Sequence, residues 1–264
     1  MRTEIVYEDE RLLVVYKPAG LATESARISQ ADVVSELKNY LSHGTKIPYL
    51  GLAHRLDQPV EGLLAVAKDS KTAAELTRQL QSGQMKKSYL AVVYLPEAIN
   101  CGLNEPVELT DFLLKEGGQA RIVTGPPAER ESDQMVGVER NGAKRAAQPS
   151  GRSAYDAVAS RGAQKAVLTY RLQKVQGQIA LVRVELETGR FRQIRCQMAA
   201  HGMPLLGDLK YGNEESMALS RELQVKSVTL CADMLTFQHP ETGKELKVTV
   251  KPRNEVFRLL DGEI

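Results

Sequence analysis

Leu52-Ala53-His54-Arg55-Leu56-Asp57-Gln58-Pro59-Val60-Glu61-Gly62 sets a guanidinium and a carboxylate between two apolar segments. Leu50 and Leu52 before it and Leu63, Leu64 and Val66 after it read as two buried strands, with Pro59 and Gly62 putting a turn between them. Asp57 therefore falls where a strand gives way to a loop, a place where a rigid scaffold commonly mounts catalytic groups. The same residues admit a plainer reading, in which the Asp57 side chain satisfies backbone amides of its own turn. This stretch alone does not choose between them.

Working outward, the 264 residues are 42% hydrophobic, enough to bury a sizeable core in one large domain or two small ones. Net charge is only +2, from 35 basic and 33 acidic residues, so a nucleic-acid partner has to be met by a local patch. The charges are unevenly spread. Arg78 to Leu95 holds Arg78, Lys86 and Lys87 and no acid, and Arg190 to Gly212 holds Arg190, Arg192, Arg195 and Lys210 against Asp208 alone. If these stretches meet in space they form one phosphate-binding face; otherwise they are solvated surface. Cys101, Cys196 and Cys231 are too widely spaced for a disulfide framework or a zinc site and suit a reducing interior. The acidic start carries no basic-then-apolar signal and no apolar run is long enough to span a membrane, so a cytoplasmic protein is expected.

Periodicity supplies the elements. Ile5-Val6-Tyr7 and Leu12 to Tyr16 predict a hairpin, closed by Lys17-Pro18-Ala19-Gly20. Ser29 with Asp32 predicts a capping box for a helix to about Ser42, with Val33, Val34, Leu37 and Leu41 on one face. Ser70 predicts a cap for a helix to about Gln81 that buries Ala73, Leu76 and Leu80 and stops at Gly83. Lys87 to Val93 is a strand by pattern, and Val167 to Val175 with Ile179 to Leu186 is another hairpin. Between them, residues 125–162 are rich in Gly, Pro, Ser and charge and read as a surface insertion or disordered loop. Arg190 to His201 predicts a helix ended by Gly202, with Arg192, Arg195 and Ala199 on one stripe and Phe191, Ile194 and Met198 on the apolar one. Met203 to Gly212 is loop, followed by short strands at Ser227 to Leu230, Met234 to Phe237 and Leu246 to Val250, and a short helix near Val256 to Leu260. Hairpins interrupted by a few helices, without regular β–α alternation, predict an α+β fold on a mainly antiparallel sheet.

Taken together, these segments resemble the RluA family of RNA pseudouridine synthases. His54-Arg55-Leu56-Asp57, with Gly62 five residues beyond the Asp, is similar to the signature around that family's catalytic aspartate. Tyr7-Glu8-Asp9 through Lys17-Pro18-Ala19-Gly20 resembles its opening hairpin, and Lys87-Ser88-Tyr89-Leu90-Ala91 its Lys-x-Tyr-x-Ala strand. Thr188-Gly189-Arg190, Gln193-Ile194-Arg195, Gly202-Met203-Pro204, Gly207-Asp208 and Tyr211-Gly212 resemble its arginine-bearing motif, and Leu230-Cys231-Ala232 to Pro240 a segment near its end. Each pattern is weak; their occurrence in family order over nearly the whole chain is specific.

The resemblance implies a pseudouridine synthase-like fold: a mainly antiparallel central sheet, flanking helices and a central RNA-binding cleft. It implies one catalytic domain over 1–264, with 125–162 as an insertion and no separate amino-terminal RNA-binding domain. The implied reaction isomerises a uridine of structured rRNA or tRNA, needing no cofactor and no metal, in a monomer with no obligate protein partner. Asp57 would be the catalytic carboxylate, either as a nucleophile or by removing a ribose proton on the way to a glycal-like intermediate. A guanidinium alongside would aim it through a charge-assisted hydrogen bond, and the family pattern makes that partner Arg195. Tyr89 would stack on the target uracil, and Arg55 would enter the RNA where the uridine leaves its stack. Lys87, Arg190 and Arg192 are expected RNA contacts, and His54 a hydrogen-bonded structural residue, with His43, His201 and His239 structural or at the surface. The chain departs from the pattern at Val60-Glu61, where the family has Thr-Ser, at Phe191-Arg192, where it has Thr-His, and at Cys196-Gln197, where it has Val-His. Glu61 is expected to point outward. Two rivals remain: a non-catalytic RNA-binding or ribosome-assembly protein on the same fold, and a hydrolase of N-glycosidic bonds.

Overall fold

The computed structural model describes residues 1–25, 30–42, 47–97, 102–123 and 162–260. Most of the 125–162 insertion, together with Ser29 and His43, lies outside them. The described residues form a single sheet of eleven strands: β1 (Glu4–Glu8), β2 (Leu12–Lys17), β3 (Gly51–Leu52), β4 (Glu61–Ala67), β5 (Lys86–Tyr94), β6 (Val107–Glu116), β7 (Gln119–Ile122), β8 (Gln164–Gln176), β9 (Ile179–Leu186), β10 (Leu230–Gln238) and β11 (Glu245–Thr249). They lie in the order β1-β2-β4-β10-β5-β9-β8-β6-β7, with β3 on β4 and β11 on β10. Only β4 and β10 run parallel. The expected α+β class with a mainly antiparallel sheet is what the chain adopts.

Both faces of the sheet are covered, which is why β2 and β4 are buried at every position and apolar apart from Lys17 and Glu61 at their ends. On one face Leu13, Val15, Leu64, Val66, Tyr89 and Ala91 pack with Val33 and Leu37 of α1 (Val33–Leu41) and with Ile194 and Met198. On the other, Leu12, Val14, Leu63 and Ala65 pack with Leu76 of α2 (Ser70–Gln81), while Tyr16, Leu90 and Val92 pack with Val256 and Phe257. Where β4 starts beside β10, Gly62 has φ +121°, and a Cβ there would lie 2.4 Å from the Ala232 backbone. Only glycine fits both the backbone angle and that approach.

Several boundaries differ from expectation for local reasons. The capping box of α1 is Asp32 with Ser35, and α2 is capped by Asp69, with Ala73 and Leu80 only half-buried. The arginine-bearing helix, α3 (Gln193–Ala200), is shorter than predicted because the Gln193 side chain folds back to accept from the Arg190 N–H at 2.9 Å and to donate to the Val167 carbonyl at 3.0 Å. Residues 193 to 198 are all buried, so α3 has no polar stripe, and Arg192 and exposed Phe191 precede it. Residues 230–238 form one strand, not two, because Asp233 is carried inside it by a 2.9 Å ion pair to Arg183 on β9. The hairpin β6–β7 and the helix α4 (Glu214–Glu222), capped by Asn213 with Ser216, have no counterpart in the sequence reading; both are largely polar and bury little. A last short helix, α5 (Val256–Leu259), is as expected.

Candidate active site

Asp57 lies on the connection from β3 to β4, which is held in place by the segment after β2. Thr23 Oγ1 donates to the Leu56 carbonyl at 2.8 Å and accepts from the Leu56 N–H at 3.2 Å, while the Gly20 N–H donates to the Gln58 carbonyl at 2.8 Å. Lys17, fully buried, donates from Nζ to the carbonyls of Pro18, Leu21 and Gln58 at 3.0, 2.7 and 3.1 Å. Burial pushes its ammonium down to about 7. One buried cation thus gathers three carbonyls of two loops and sets the backbone on either side of Asp57. Sequence reading missed this role, although Lys17 was quoted in the opening-hairpin pattern.

The Asp57 side chain does not serve its own turn. Arg195 on α3 donates from Nη1 to Asp57 Oδ2 at 2.9 Å, and Arg192 Nε lies 3.5 Å from the same oxygen. Oδ1 makes no hydrogen bond among the described residues. Arg195 is itself clamped by Asp208, which accepts from Nε and Nη2 at 2.7 Å each and holds its loop by accepting from the N–H groups of Lys210 and Tyr211. The guanidinium also sits 5.3 Å from the Tyr211 ring. Both Arg195 and Asp208 are buried, so this fork-to-fork pair is rigid as well as strong. Asp208 was another role not read from the sequence, though a lone acid in an otherwise basic stretch is the signal that marks it.

A cleft of about 1120 Å³ opens over Asp57. Its charged lining is Arg55, Lys86, Lys87, Lys115, Arg190 and Arg192 against Glu24, Asp57 and Glu187. The two basic stretches therefore do meet, across the groove that contains Asp57. Arg55 is exposed and makes no ion pair among the described residues. Arg190 is exposed and donates from Nε to the Lys165 carbonyl. Burial lowers the pKa of Lys87. Tyr89 lies in the core beneath, 6% exposed, and burial followed by the Asp57 charge raises its pKa, so its hydroxyl stays protonated at neutral pH.

Two residues beside Asp57 need comment. Glu61, expected to point outward, is instead buried: it accepts from Tyr16 Oη at 2.5 Å and from the N–H groups of Arg253 and Asn254 at 3.1 Å each. The second carboxylate is thus spent in tying the chain's end to β4, where three donors offset its desolvation. His54 is buried and accepts from the Ala65 N–H on Nε2 at 3.2 Å, as a neutral ring must. Burial holds its pKa down to about 3. Between about pH 6.5 and that value the unfolded chain binds a proton that the fold refuses, so stability is lost as pH falls through this window. Urea midpoints of wild type and His54→Gln, compared from pH 7 to 4, are expected to converge as the pH drops; parallel curves would show that the ring charges within the fold. Of the other histidines, His201 pairs with Asp111 and His239 with Asp9.

Comparison with known proteins bears on the family and the fold. Residues 11–200 match the family model described as RNA pseudouridylate synthase. The chain is 32% identical over 252 residues to a ribosomal large subunit pseudouridine synthase D of Pseudomonas aeruginosa, covering 92% of this chain and 66% of that one, just under two thirds. It is 27% identical to a tRNA pseudouridine synthase C of Yersinia pestis, covering 94% of this chain and 86% of the other. The structure of human RNA pseudouridylate synthase domain containing 4 superposes with a TM-score of 0.67 at 22% identity, over 95% of this chain and 89% of that one, and so shares the fold.

Proposed function

Because this chain belongs to the RNA pseudouridylate synthase family, we propose that it converts a uridine of ribosomal or transfer RNA to pseudouridine, with Asp57 as the catalytic carboxylate. The observation that carries this reading is a carboxylate held through Oδ2 by a clamped arginine, at the bottom of a basic cleft, with Oδ1 unpartnered among the described residues. The reaction breaks the bond from the ribose anomeric carbon to uracil N1, rotates the base, joins the same carbon to C5 and moves the C5 proton off the ring as N1 gains one. Atoms and electrons balance without an oxidant or a second substrate. Asp57 Oδ1 either attacks or takes a ribose proton; both tasks need an oriented carboxylate, and Arg195 orients it.

Tyr89, under the cleft, offers its ring to the flipped uracil, and its protonated hydroxyl is a donor rather than a base. Arg55, at the cleft wall and without an ion pair among the described residues, fills the gap left by the uridine, which recovers part of a cost of about a few kcal/mol for unstacking. Lys87 and Arg190 meet the RNA backbone. The substrate class is supported by the ribosomal and transfer RNA enzymes to which the chain is similar.

Mapping pseudouridine in total RNA from cells with and without the gene tests the proposal. One or a few uridines in rRNA or tRNA are expected to lose the modification and to regain it on complementation. An unchanged map at every such site would sink it, and free uracil among the products of the purified protein would instead revive glycosidic hydrolysis.

A further inference from the structure

Resting on that reading, the geometry points to Arg192 as a second positioning residue for Asp57: it faces the same carboxylate oxygen as Arg195 and so leaves Oδ1 as the reacting oxygen. Arg192 Nε stands 3.5 Å from Asp57 Oδ2, the oxygen that Arg195 already holds at 2.9 Å. Nε is buried and has no hydrogen-bond acceptor among the described residues. A buried unpaired donor is costly, and this one needs only a small closure to bond to the carboxylate, as contacts of this kind do when substrate arrives.

The side chain is built into this place. Arg192 has φ +52°, a left-handed backbone that a non-glycine residue keeps only where its surroundings impose it. Its Nη1 donates to the Gly118 carbonyl at 2.6 Å, at the tip of the β6–β7 hairpin, and the guanidinium lies 4.6 Å from the Phe191 ring. Its side chain is 17% exposed, against 63% for Arg121 on the same hairpin. An arginine serving chiefly as a phosphate contact would extend freely into the groove; this one, on the groove wall, is tied through Nη1 to Gly118 and has its Nε toward Asp57. An arginine here keeps its charge across the range in which a histidine would titrate, so exchanging the two changes the charge beside Asp57 with pH.

Arg192→His and Arg192→Lys test the assignment. The other charges around the pair are Lys17 from β2, Glu24 beyond it, Arg55 on the Asp57 loop, Lys86 and Lys87 from β5, Lys115 from β6, Glu187 and Arg190 after β9, and Asp208 behind Arg195. All are shared with wild type, so the difference between profiles isolates position 192. With saturating rRNA or tRNA that wild type modifies, the single-turnover rate of Arg192→His is expected to fall roughly tenfold relative to wild type as pH rises from about 5.5 to about 8. Arg192→Lys should be slower than wild type without that step. In the RNA-free protein, the Asp57 carboxyl carbon resonance of Arg192→His should show an inflection that tracks the imidazole.

A profile parallel to wild type, with weaker RNA binding and a salt slope reduced by about one, would make Arg192 a phosphate contact and overturn the assignment. If Arg192→His does not fold, the lysine variant decides: a lower rate at unchanged affinity supports the role, and weaker affinity at unchanged rate refutes it. If wild type modifies no uridine, the function proposed above fails, while the carbon resonance still reports whether residue 192 is coupled to Asp57.

Discussion

Asp57→Asn is expected to lower the rate of pseudouridine formation by about 10⁴-fold or more, the scale seen when the group that forms or breaks the reacting bond is removed. The amide is nearly isosteric and its oxygen can still accept from Arg195 Nη1, so the site keeps its shape. What is lost is the charge and basicity of the oxygen facing the cleft. Because Asp57 is partly exposed and the change removes no packing, stability should move by no more than about 1.5–3 kcal/mol, the range for one hydrogen bond to a charged group. RNA affinity should hold or rise slightly, since one negative charge leaves a basic groove. Single-turnover assays, urea unfolding and filter binding on one preparation separate these quantities. A variant that binds RNA and retains a tenth of the wild-type rate would remove Asp57 from the chemistry; one that loses binding and rate together would make it structural.

Arg195→Met should be costly in two ways. It leaves the buried Asp208 carboxylate without its paired guanidinium, with only the Lys210 and Tyr211 amides as donors among the described residues. Removing one partner of a buried ion pair typically costs about 3–5 kcal/mol. It also frees the Asp57 side chain, and loss of orientation at a reacting group is worth about 10²-fold in rate. The double variant Arg195→Met/Asp208→Leu distinguishes the two effects: much of the stability should return, because no buried charge is left unpaired, while the rate should stay low. A single variant within about 1 kcal/mol of wild type would show that water or a neighbouring group compensates Asp208. Recovery of rate along with stability in the double variant would show that Arg195 acts only through the fold.

Much of the scaffold was legible in the sequence because burial on both faces writes itself as unbroken apolar runs. β2, β4 and β5 were readable from that signal, β8 and β9 from the hairpin pattern about Gln176-Gly177-Gln178, and α2 from its periodicity. The elements that were missed are those whose stability does not come from an apolar stripe. α4 depends on its cap, the β6–β7 hairpin on docking against Arg192 and Tyr211, and the unbroken β10 on an ion pair from β9 that neutralises Asp233. Glu61 was misread for the same reason: a carboxylate beside a turn looks solvent-facing until its donors, Tyr16 and the segment 253–254, arrive from the two ends of the chain.

By itself, the sequence determined the fold class and the family pattern, and through that pattern singled out Asp57, Tyr89 and Arg195 as candidates, because these follow from residue type and local order. Only the tertiary structure decided what those residues do to one another. Asp57 and Arg195 are 138 residues apart, and their 2.9 Å contact exists because Lys17 sets one loop and Asp208 the other. Hydrogen bonds and ion pairs act over a few ångströms and carry no periodicity, so nothing in the spacing of Arg192 announces that it turns onto Asp57 rather than toward solvent. The choice of Oδ1 as the free oxygen is likewise a property of where two guanidinia end up, and chain order does not contain it.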